Sequence, residues 1–409
     1  MKKMRLAAFA LGSMLAVGAI SCGAAAEEGA IEYKHVDAPV PANENGVVTA
    51  EEWSEIYPEI VESMNANADN NYRISYLEED PYLTNVYEGY GFAIDYTSAI
   101  SHSYTLEDVH NTERPHPYAN CITCKTPDYT KLVNDMGEEA YMYDFEETWS
   151  QMNENISCYN CHENQAGNAG QLVVTHSYVT KALGDEMENF DPAVLSCGQC
   201  HIEYFFEPDT KATTMPYSSA ETMDPEKILA YYNERGFSDW TQESTGTGLL
   251  KAQHPEFETF TGAGSVHAGM LNCADCHMAK TTSENGVTYT SHKLESPLEN
   301  EQILQSCVQC HGDTDMKAKV AAIQEEIVGR EKEVGEQLST LKSTLEEAVT
   351  AGEMNEDVLN DVRALYRDAQ WYWDFCYVEN SEGAHNSTMA RRCLNNAETL
   401  INAAMARFA

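Results

Sequence analysis

Five short cysteine motifs are the stretches whose residue types and spacing could do chemistry. Four of them have the pattern C-x-x-C-H, and the first, at residues 121–125, ends in lysine instead. C-x-x-C-H is the attachment signature of c-type haem, in which two thiols bond to the vinyl groups and the histidine binds iron. We therefore expect five covalently bound haems c, numbered in chain order, on these cysteines and proximal ligands: Cys121, Cys124 and Lys125; Cys158, Cys161 and His162; Cys197, Cys200 and His201; Cys273, Cys276 and His277; Cys307, Cys310 and His311.

The lysine of the first motif predicts a haem with a different role. Lysine is a poor ligand while protonated, so Lys125 must lose its proton, which iron and a dry pocket can bring about. The opposite face of this iron is then a candidate open coordination site, the property that separates a catalytic haem from an electron carrier. The alternative is a disulfide or a chance C-x-x-C with Lys125 at the surface. A fifth haem is the simpler explanation, because the chain has four other haem motifs.

The remaining histidines are candidate second ligands. Electron-transfer haems need a second strong axial ligand, usually histidine or methionine. Four bis-histidine haems would use four histidines, and the sequence alone does not say which of nine they are: His35, His102, His110, His116, His176, His254, His267, His292 and His385.

The elements that must position these groups divide the chain at about residue 312. Residues 27–48 predict an extended arm, and Thr49 is a candidate N-cap for a helix that ends near Met64. Loops and short helices are expected between the motifs of residues 49–312, where haems fill the volume that side chains normally occupy. Residues 71–120 are rich in tyrosine, which suits the walls of haem pockets or plain core packing.

The last quarter of the chain has a different pattern. Apolar residues recur at helical intervals among Lys and Glu, which predicts long helices over 313–350, 354–376 and 387–407. The predicted fold is therefore mainly α, with few strands, a haem-packed body and long C-terminal helices in the same domain. Their apolar faces suit ordinary packing or a dimer interface.

The charge and the first residues bear on partners and location. Lys and Arg number 25 and Asp and Glu 66, so the net charge is 25 − 66 = −41. This argues against nucleic acid or anionic lipid as a direct partner and favours a basic or haem-exposing redox partner. An anionic substrate would need a local positive site.

Residues 1–26 have the features of a secretory signal, with a basic start and an apolar stretch over residues 6–20 that is short for a membrane span. Export agrees with covalent haem attachment, which takes place outside the cytoplasm. The run at residues 19–22 resembles a lipobox, and we favour lipidation of Cys22. Ordinary cleavage after residues 24–26 is the alternative.

Together these features resemble the pentahaem, ammonia-forming cytochrome c nitrite reductases over roughly residues 50–400. The resemblance rests on the single C-x-x-C-K unit ahead of four C-x-x-C-H units, on Glu203-Tyr204 after the third unit, and on the run at residues 251–254. It also includes the surroundings of His102, His292 and His385. The family implies a six-electron reduction of nitrite to ammonium at haem 1, with a membrane quinol dehydrogenase subunit or a soluble multihaem cytochrome as donor, and a homodimer.

The same resemblance implies roles for individual residues. The distal pocket of haem 1 would hold Arg114, Tyr204 and His254. One calcium ion would be bound by the Glu203 side chain, the Gln253 amide oxygen and the backbone carbonyls of Tyr204 and Lys251, an oxygen set that suits a hard cation. The distal ligands would be His292 for haem 2, His102 for haem 3, His385 for haem 4 and His267 for haem 5. No role follows for His35, His110, His116 and His176.

Three alternatives stay open at this stage. The chain could be a multihaem electron conduit without chemistry of its own, although Lys125 argues against this. It could be a related multihaem enzyme that acts on hydroxylamine or sulfur oxyanions. Cys376 and Cys393, which flank the segment of His385, either form a disulfide or remain two buried helical thiols.

Overall fold

Three long helices at the C-terminal end form the largest packed element of the fold. They are α14 (Met316–Ala351), α15 (Glu356–Tyr377) and α16 (Ser387–Met405), which confirms the predicted helical last quarter. The computed structural model describes residues 44–163 and 171–409. The predicted leader with Cys22, most of the predicted arm and His35 lie outside the described residues.

The body ahead of these helices is built from short elements. Its α-helices are α1 (Ala50–Ser54), α2 (Pro58–Asn65), α3 (Tyr76–Glu79), α4 (Leu83–Val86), α5 (Thr105–Asn111), α6 (Pro127–Met136), α7 (Phe145–Trp149), α8 (Ser177–Leu183), α9 (Pro192–Gly198), α10 (Pro225–Arg235), α11 (Glu256–Thr261), α12 (Cys273–His277) and α13 (Glu301–His311). Its strands are β1 (Phe205–Phe206), β2 (Thr213–Thr214), β3 (Trp240–Gln242), β4 (Thr247–Leu249), β5 (Lys280–Thr282) and β6 (Thr288–Thr290). This mainly helical architecture with few strands is the predicted one.

The strands pair as three antiparallel hairpins, β1 with β2, β3 with β4 and β5 with β6. In the second hairpin Trp240 lies opposite Leu249. The first hairpin begins directly after Tyr204 and the second ends just ahead of residue 251. The hairpins therefore hold two of the segments that the sequence singles out.

The predicted helix over residues 49–64 is interrupted. Thr49 caps it as expected, with a capping box to Glu52, but α1 ends at Ser54 and α2 starts at Pro58. Proline has no N–H to continue the ladder, and it forces the preceding residue out of the helical region. Tyr57 accordingly has φ −125° and ψ 60°. The N-cap prediction is confirmed and the single-helix prediction is wrong.

The main core lies where the three long helices meet the tyrosine-rich segment. Trp371 and Trp373 of α15 are fully buried, as is Tyr87 from the N-terminal part. Gly335 of α14 packs directly on Tyr82, since a Cβ there would lie 2.4 Å from the ring. The tyrosines of residues 71–120 therefore serve as core at this point. No helix within the described ranges is long and apolar enough to cross a membrane.

Candidate active site

The first cysteine motif lies on a tight turn that leads into α6. Residues Ala119–Ile122 form a 3-10 turn, and the Lys125 N–H donates to the Ile122 carbonyl at 2.9 Å. The Thr105 hydroxyl donates to the carbonyl of Lys125 at 2.6 Å. Because Pro127 starts α6 two residues later, the chain direction after Lys125 is set as well. Lys125 thus occupies a position fixed from both sides by backbone contacts.

Arg114 brings positive charge to this motif. Its guanidinium lies over the Phe92 ring, 4.3 Å from the ring centre, and its Nε donates to the Thr112 hydroxyl at 3.1 Å. That hydroxyl donates in turn to Asp95 at 2.7 Å. Burial raises the pKa of the Cys121 thiol to about 11, and the nearby charges of Arg114 and Lys125 act in the opposite direction. The predicted anion-binding residue therefore lies beside the predicted catalytic haem site.

Tyr204 lies near Arg114 and the thiols of the first motif. Burial raises the pKa of its hydroxyl well above the usual range, the Cys124 and Cys121 thiols raise it further, and Arg114 lowers it. The hydroxyl therefore stays protonated at neutral pH and can donate a hydrogen bond. The structure brings two of the three predicted distal residues, Arg114 and Tyr204, to the first cysteine motif.

His254 completes this group. Burial lowers its pKa to about 4, Glu256 raises it, and the charge of Lys125 is among the influences that lower it. Its Nδ1 is buried and has no hydrogen-bond partner among the described residues. A buried ring nitrogen without a partner is unusual in a folded protein. Its position fits a bound ligand at the first motif.

A buried ion pair anchors the segment that carries His254. Lys251 Nζ lies 2.9 Å from Asp374 Oδ1, and both side chains are almost fully buried. Asp374 also accepts the Ala252 N–H at 2.9 Å and the Tyr87 hydroxyl at 2.5 Å. The ammonium group faces the rings of Tyr87, Phe92 and Tyr96 at 5.1–5.6 Å. Lys251 and Ala252 are therefore tied to α15, just ahead of His254.

The four residues of the predicted calcium site come together beside this segment. The fully buried Glu203 carboxylate accepts the Gln253 N–H at 2.7 Å and the Tyr232 hydroxyl at 2.9 Å. The Gln253 side-chain Nε2 lies 3.1 Å from the Lys251 carbonyl oxygen. Glu258, also fully buried, accepts the Glu203 N–H at 2.9 Å. Two buried carboxylates near the Lys251 carbonyl oxygen and the Gln253 side-chain amide fit a divalent cation, whose charge would offset theirs.

Each of the other four haem motifs has a second histidine facing its own. The ring centres are 6.1 Å apart for His162 and His292, 6.2 Å for His201 and His102, 6.2 Å for His277 and His385, and 6.1 Å for His311 and His267. Two imidazoles on opposite sides of one metal ion, with metal–nitrogen bonds of about 2 Å, place their ring centres roughly 6 Å apart. The spacing therefore fits bis-histidine haems, with the partners that the resemblance implies.

The third motif has two candidate partners by distance alone. The His201 ring lies 6.2 Å from His254 as well as 6.2 Å from His102. Distance does not choose between them. The family resemblance assigns His102 to this haem and His254 to the open face of haem 1.

A comparison with known families assigns the chain to a protein family. The model of the cytochrome c552 family matches residues 49–409, which is most of the chain. The chain belongs to the cytochrome c552 family. This match confirms the family resemblance indicated by the motifs, and it begins at the residue that caps the first described helix.

The chain also resembles solved structures, one of which has the same fold. A cytochrome c nitrite reductase of Desulfovibrio desulfuricans has 24% sequence identity and a TM-score of 0.78, over 88% of this chain and 85% of that chain. An outer cell wall cytochrome, OcwA, has 18% identity over 73% and 48% of the two chains, with a TM-score of 0.41. An undecahaem S-layer cytochrome of Carboxydothermus ferrireducens has 17% identity over 75% and 41%, with a TM-score of 0.39. The first confirms the predicted multihaem cytochrome fold.

Sequence reasoning missed the position of His176 between two of the cysteine motifs. Its ring nitrogen, Cys124 Sγ and Cys200 Sγ all lie within 4.8 Å of one another. The ring stacks on Tyr178, and its Nε2 lies 3.3 Å from Cys200 Sγ. Because thiols bonded to haem no longer bind a metal ion, the cluster marks the close approach of the first and third haem sites. Cys124 and Cys200 are 76 residues apart in the chain, so no local pattern indicated that they lie close together.

Two more histidines without a predicted role also have contacts. His110 stacks on Trp149 at 3.9 Å, and His116 Nδ1 lies 2.5 Å from the Arg114 carbonyl oxygen.

Cys376 and Cys393 are both buried free thiols, so the structure has the second of the two predicted alternatives. Cys376 Sγ lies 3.2 Å from Glu331 Oε1, which satisfies the thiol without a disulfide.

Proposed function

We propose that this protein reduces nitrite to ammonium with six electrons at haem 1, bound to Cys121 and Cys124 with Lys125 as the proximal ligand. The observation that carries the proposal is a contrast between the motifs. Four motifs have a facing histidine at 6.1–6.2 Å. The first motif instead has Arg114, Tyr204 and His254 near it. That set suits a small anion that must also be protonated.

Haem, when held by Cys121, Cys124 and Lys125, would supply a redox-active iron for the reduction of nitrite. Arg114 would bind the nitrite oxygens with its guanidinium, which Phe92 and Thr112 hold in place. It supplies locally the positive charge that the net −41 of the chain withholds. His254 would deliver protons as N–O bonds break and water leaves. The Tyr204 hydroxyl, protonated at neutral pH, would hydrogen-bond the later, partly reduced nitrogen species.

Calcium would stabilise the loop on which two of these residues depend. Glu203, the Gln253 amide oxygen and the carbonyls of Tyr204 and Lys251 would hold it. The related Desulfovibrio enzyme is described with two calcium sites in its catalytic subunit. In this chain a cation would offset the buried carboxylates of Glu203 and Glu258, whose pKa values burial raises above the usual range, to about 8 for Glu258.

The remaining four haems would store and deliver electrons singly, with His292, His102, His385 and His267 as their distal ligands. We propose that residues 49–312 form the catalytic body and that residues 313–409 pair with a second copy. The donor would be a soluble multihaem cytochrome or a membrane quinol dehydrogenase subunit. Because haem is attached outside the cytoplasm, we place the protein there, either released or held by lipidated Cys22.

The test is turnover of nitrite with a reduced dye, with ammonium measured as product. We expect Arg114→Ala and His254→Ala to lower the rate roughly 100- to 1,000-fold, the usual effect of losing one positioned hydrogen-bond donor to charge that develops during the reaction. All five haems should remain attached. His110→Ala, which changes a histidine stacked on Trp149, is the control and should keep its rate.

Near-normal turnover in either active-site variant would remove the role given to that residue. A conduit without chemistry would instead give a spectrum in which every haem is low-spin and neither nitrite nor cyanide binds. Hydroxylamine and sulfite, tested in the same assay, distinguish the related multihaem enzymes.

A further inference from the structure

The loop between α15 and α16 carries a buried carboxylate that contacts a proposed haem ligand. Glu379 is 5% exposed, and its Oε1 lies 2.7 Å from His385 Nδ1. Its Oε2 accepts the Ser381 hydroxyl at 2.6 Å. The Ser381 oxygen accepts the His385 N–H at 2.9 Å. The carboxylate and the hydroxyl therefore hold both the ring and the backbone of His385.

The other ligand rings with a close Nδ1 contact face uncharged groups. His277 Nδ1 lies 3.0 Å from the Glu295 carbonyl oxygen, and His292 Nδ1 lies 3.0 Å from the Thr290 carbonyl oxygen. His201 Nδ1 is 3.8 Å from a Glu256 carboxylate oxygen, which is too long for a hydrogen bond. Among these four rings, only His385 donates at short range to a charged acceptor.

The surrounding loop is held in one conformation. Glu382 and Gly383 both have positive φ, 53° and 86°, and a Cβ at Gly383 would lie 2.7 Å from Ile327. The Asn380 N–H donates to Glu256 Oε1 at 3.3 Å. Asn386, the N-cap of α16, donates to the Thr259 carbonyl at 3.1 Å. Glu379 is thus fixed against His385 by packing from α11 and α14.

We propose that Glu379 is a positioning residue that holds the His385 ring by its Nδ1 hydrogen and lowers the reduction potential of haem 4. A carboxylate on the outer nitrogen makes the imidazole a stronger donor to its metal, and a stronger donor favours the ferric ion. Burial strengthens the effect, because few water molecules screen the charge. The inference rests on the proposed ligation of haem 4 by His277 and His385.

The place of the fourth motif gives this potential a function. The Cys273 thiol contacts Cys197 of the third motif, and Cys276 lies near Cys307 of the fifth. The fourth motif therefore lies between the third and the fifth, and haem 4 would lie between haems 3 and 5. A low reduction potential would keep haem 4 mostly oxidised, so that electrons would reside on the neighbouring haems.

The experiment is a redox titration of the full-length holoprotein, followed by magnetic circular dichroism or electron paramagnetic resonance. Loss of an outer-shell partner typically lowers metal affinity or activity about 10- to 100-fold. If the loss in Glu379→Gln falls on the ferric state, we expect it to favour the ferrous form of one haem at least about tenfold. Tenfold corresponds to a shift of about +59 mV for a one-electron couple. Glu379→Asp, which keeps the charge at a greater distance, should recover part of the shift.

Glu295→Gln is the matched control. It removes one negative charge beside the other ligand of the same haem, but it leaves the backbone carbonyl that faces His277. We expect its potentials to be close to those of the wild type. An equal shift in Glu295→Gln, or no shift in Glu379→Gln, would overturn the inference.

The two levels of proposal fail differently. A wild-type spectrum without four bis-histidine signatures would overturn the proposed ligation and this inference with it. A wild type with all four signatures and unchanged potentials in Glu379→Gln overturns only the role of Glu379. Loss of one bis-histidine signature in Glu379→Gln, restored in Glu379→Asp, supports the positioning role.

Discussion

Asp374 and Lys251 form a buried ion pair just ahead of His254 in the chain, and a double-mutant cycle tests its strength. The changes are Asp374→Asn, Lys251→Met and the two together. The introduced asparagine has nearly the shape of aspartate and could still accept the Ala252 N–H. Lys251→Met removes the charge and leaves the backbone carbonyl proposed to bind calcium. Each single change therefore isolates one buried charge.

The magnitude follows from burial and from the partners that remain. Asp374 is 0% exposed, and Lys251 is 3% exposed. In Asp374→Asn the ammonium group keeps only the Ala252 carbonyl at 2.9 Å and the aromatic rings, so we expect a loss of about 3–5 kcal/mol in the free energy of unfolding. In Lys251→Met the carboxylate keeps the Tyr87 hydroxyl, the Ala252 N–H and Gln370 as donors. That loss should be smaller, about 1.5–3 kcal/mol.

The double variant has no buried charge at this point and should cost less than the sum of the single changes. We expect a coupling of at least about 2 kcal/mol, measured by urea unfolding of the holoprotein. The exposed pair Lys317 and Glu301, 3.1 Å apart, is the control and should show little coupling. Additive losses at Lys251 and Asp374 would refute the view that each buried charge is stabilised mainly by the other.

Three further results are expected. Burial, with repulsion from nearby carboxylates, raises the pKa of Glu331 to about 8 against 4.5 unfolded, so stability should fall as pH rises through that window, by at most about 5 kcal/mol. We would measure the urea midpoint near the lower and the upper end of this pH window. The difference between the two midpoints should disappear in Glu331→Gln and remain in the exposed control Glu333→Gln. Glu203→Gln should lose bound calcium by elemental analysis and slow nitrite turnover while keeping five haems; full calcium in the variant would contradict the proposed site. His292→Ala should convert one low-spin haem to high-spin in magnetic circular dichroism, and an unchanged spectrum would assign that haem another ligand.

Much of the fold and site followed from local sequence patterns. The cysteine motifs have a fixed spacing because one haem must reach both thiols and the adjacent ligand. The helices of the last quarter follow from apolar periodicity over many turns, and the structure has them within a few residues of the prediction. The helix expected over 49–64 failed at Pro58, because a single imino acid outweighed a favourable pattern.

The sequence by itself determined the number of haem motifs, the lysine that ends the first of them and the mainly helical class, since each depends on residues close together in the chain. Only the tertiary structure decided which groups meet across the chain. Asp374 lies 123 residues from Lys251, and His176 reaches two cysteine motifs at once. Glu379 and His385 are near in sequence, but burial makes their contact strong. Burial and contact across the chain arise from packing, which no local pattern of residues specifies.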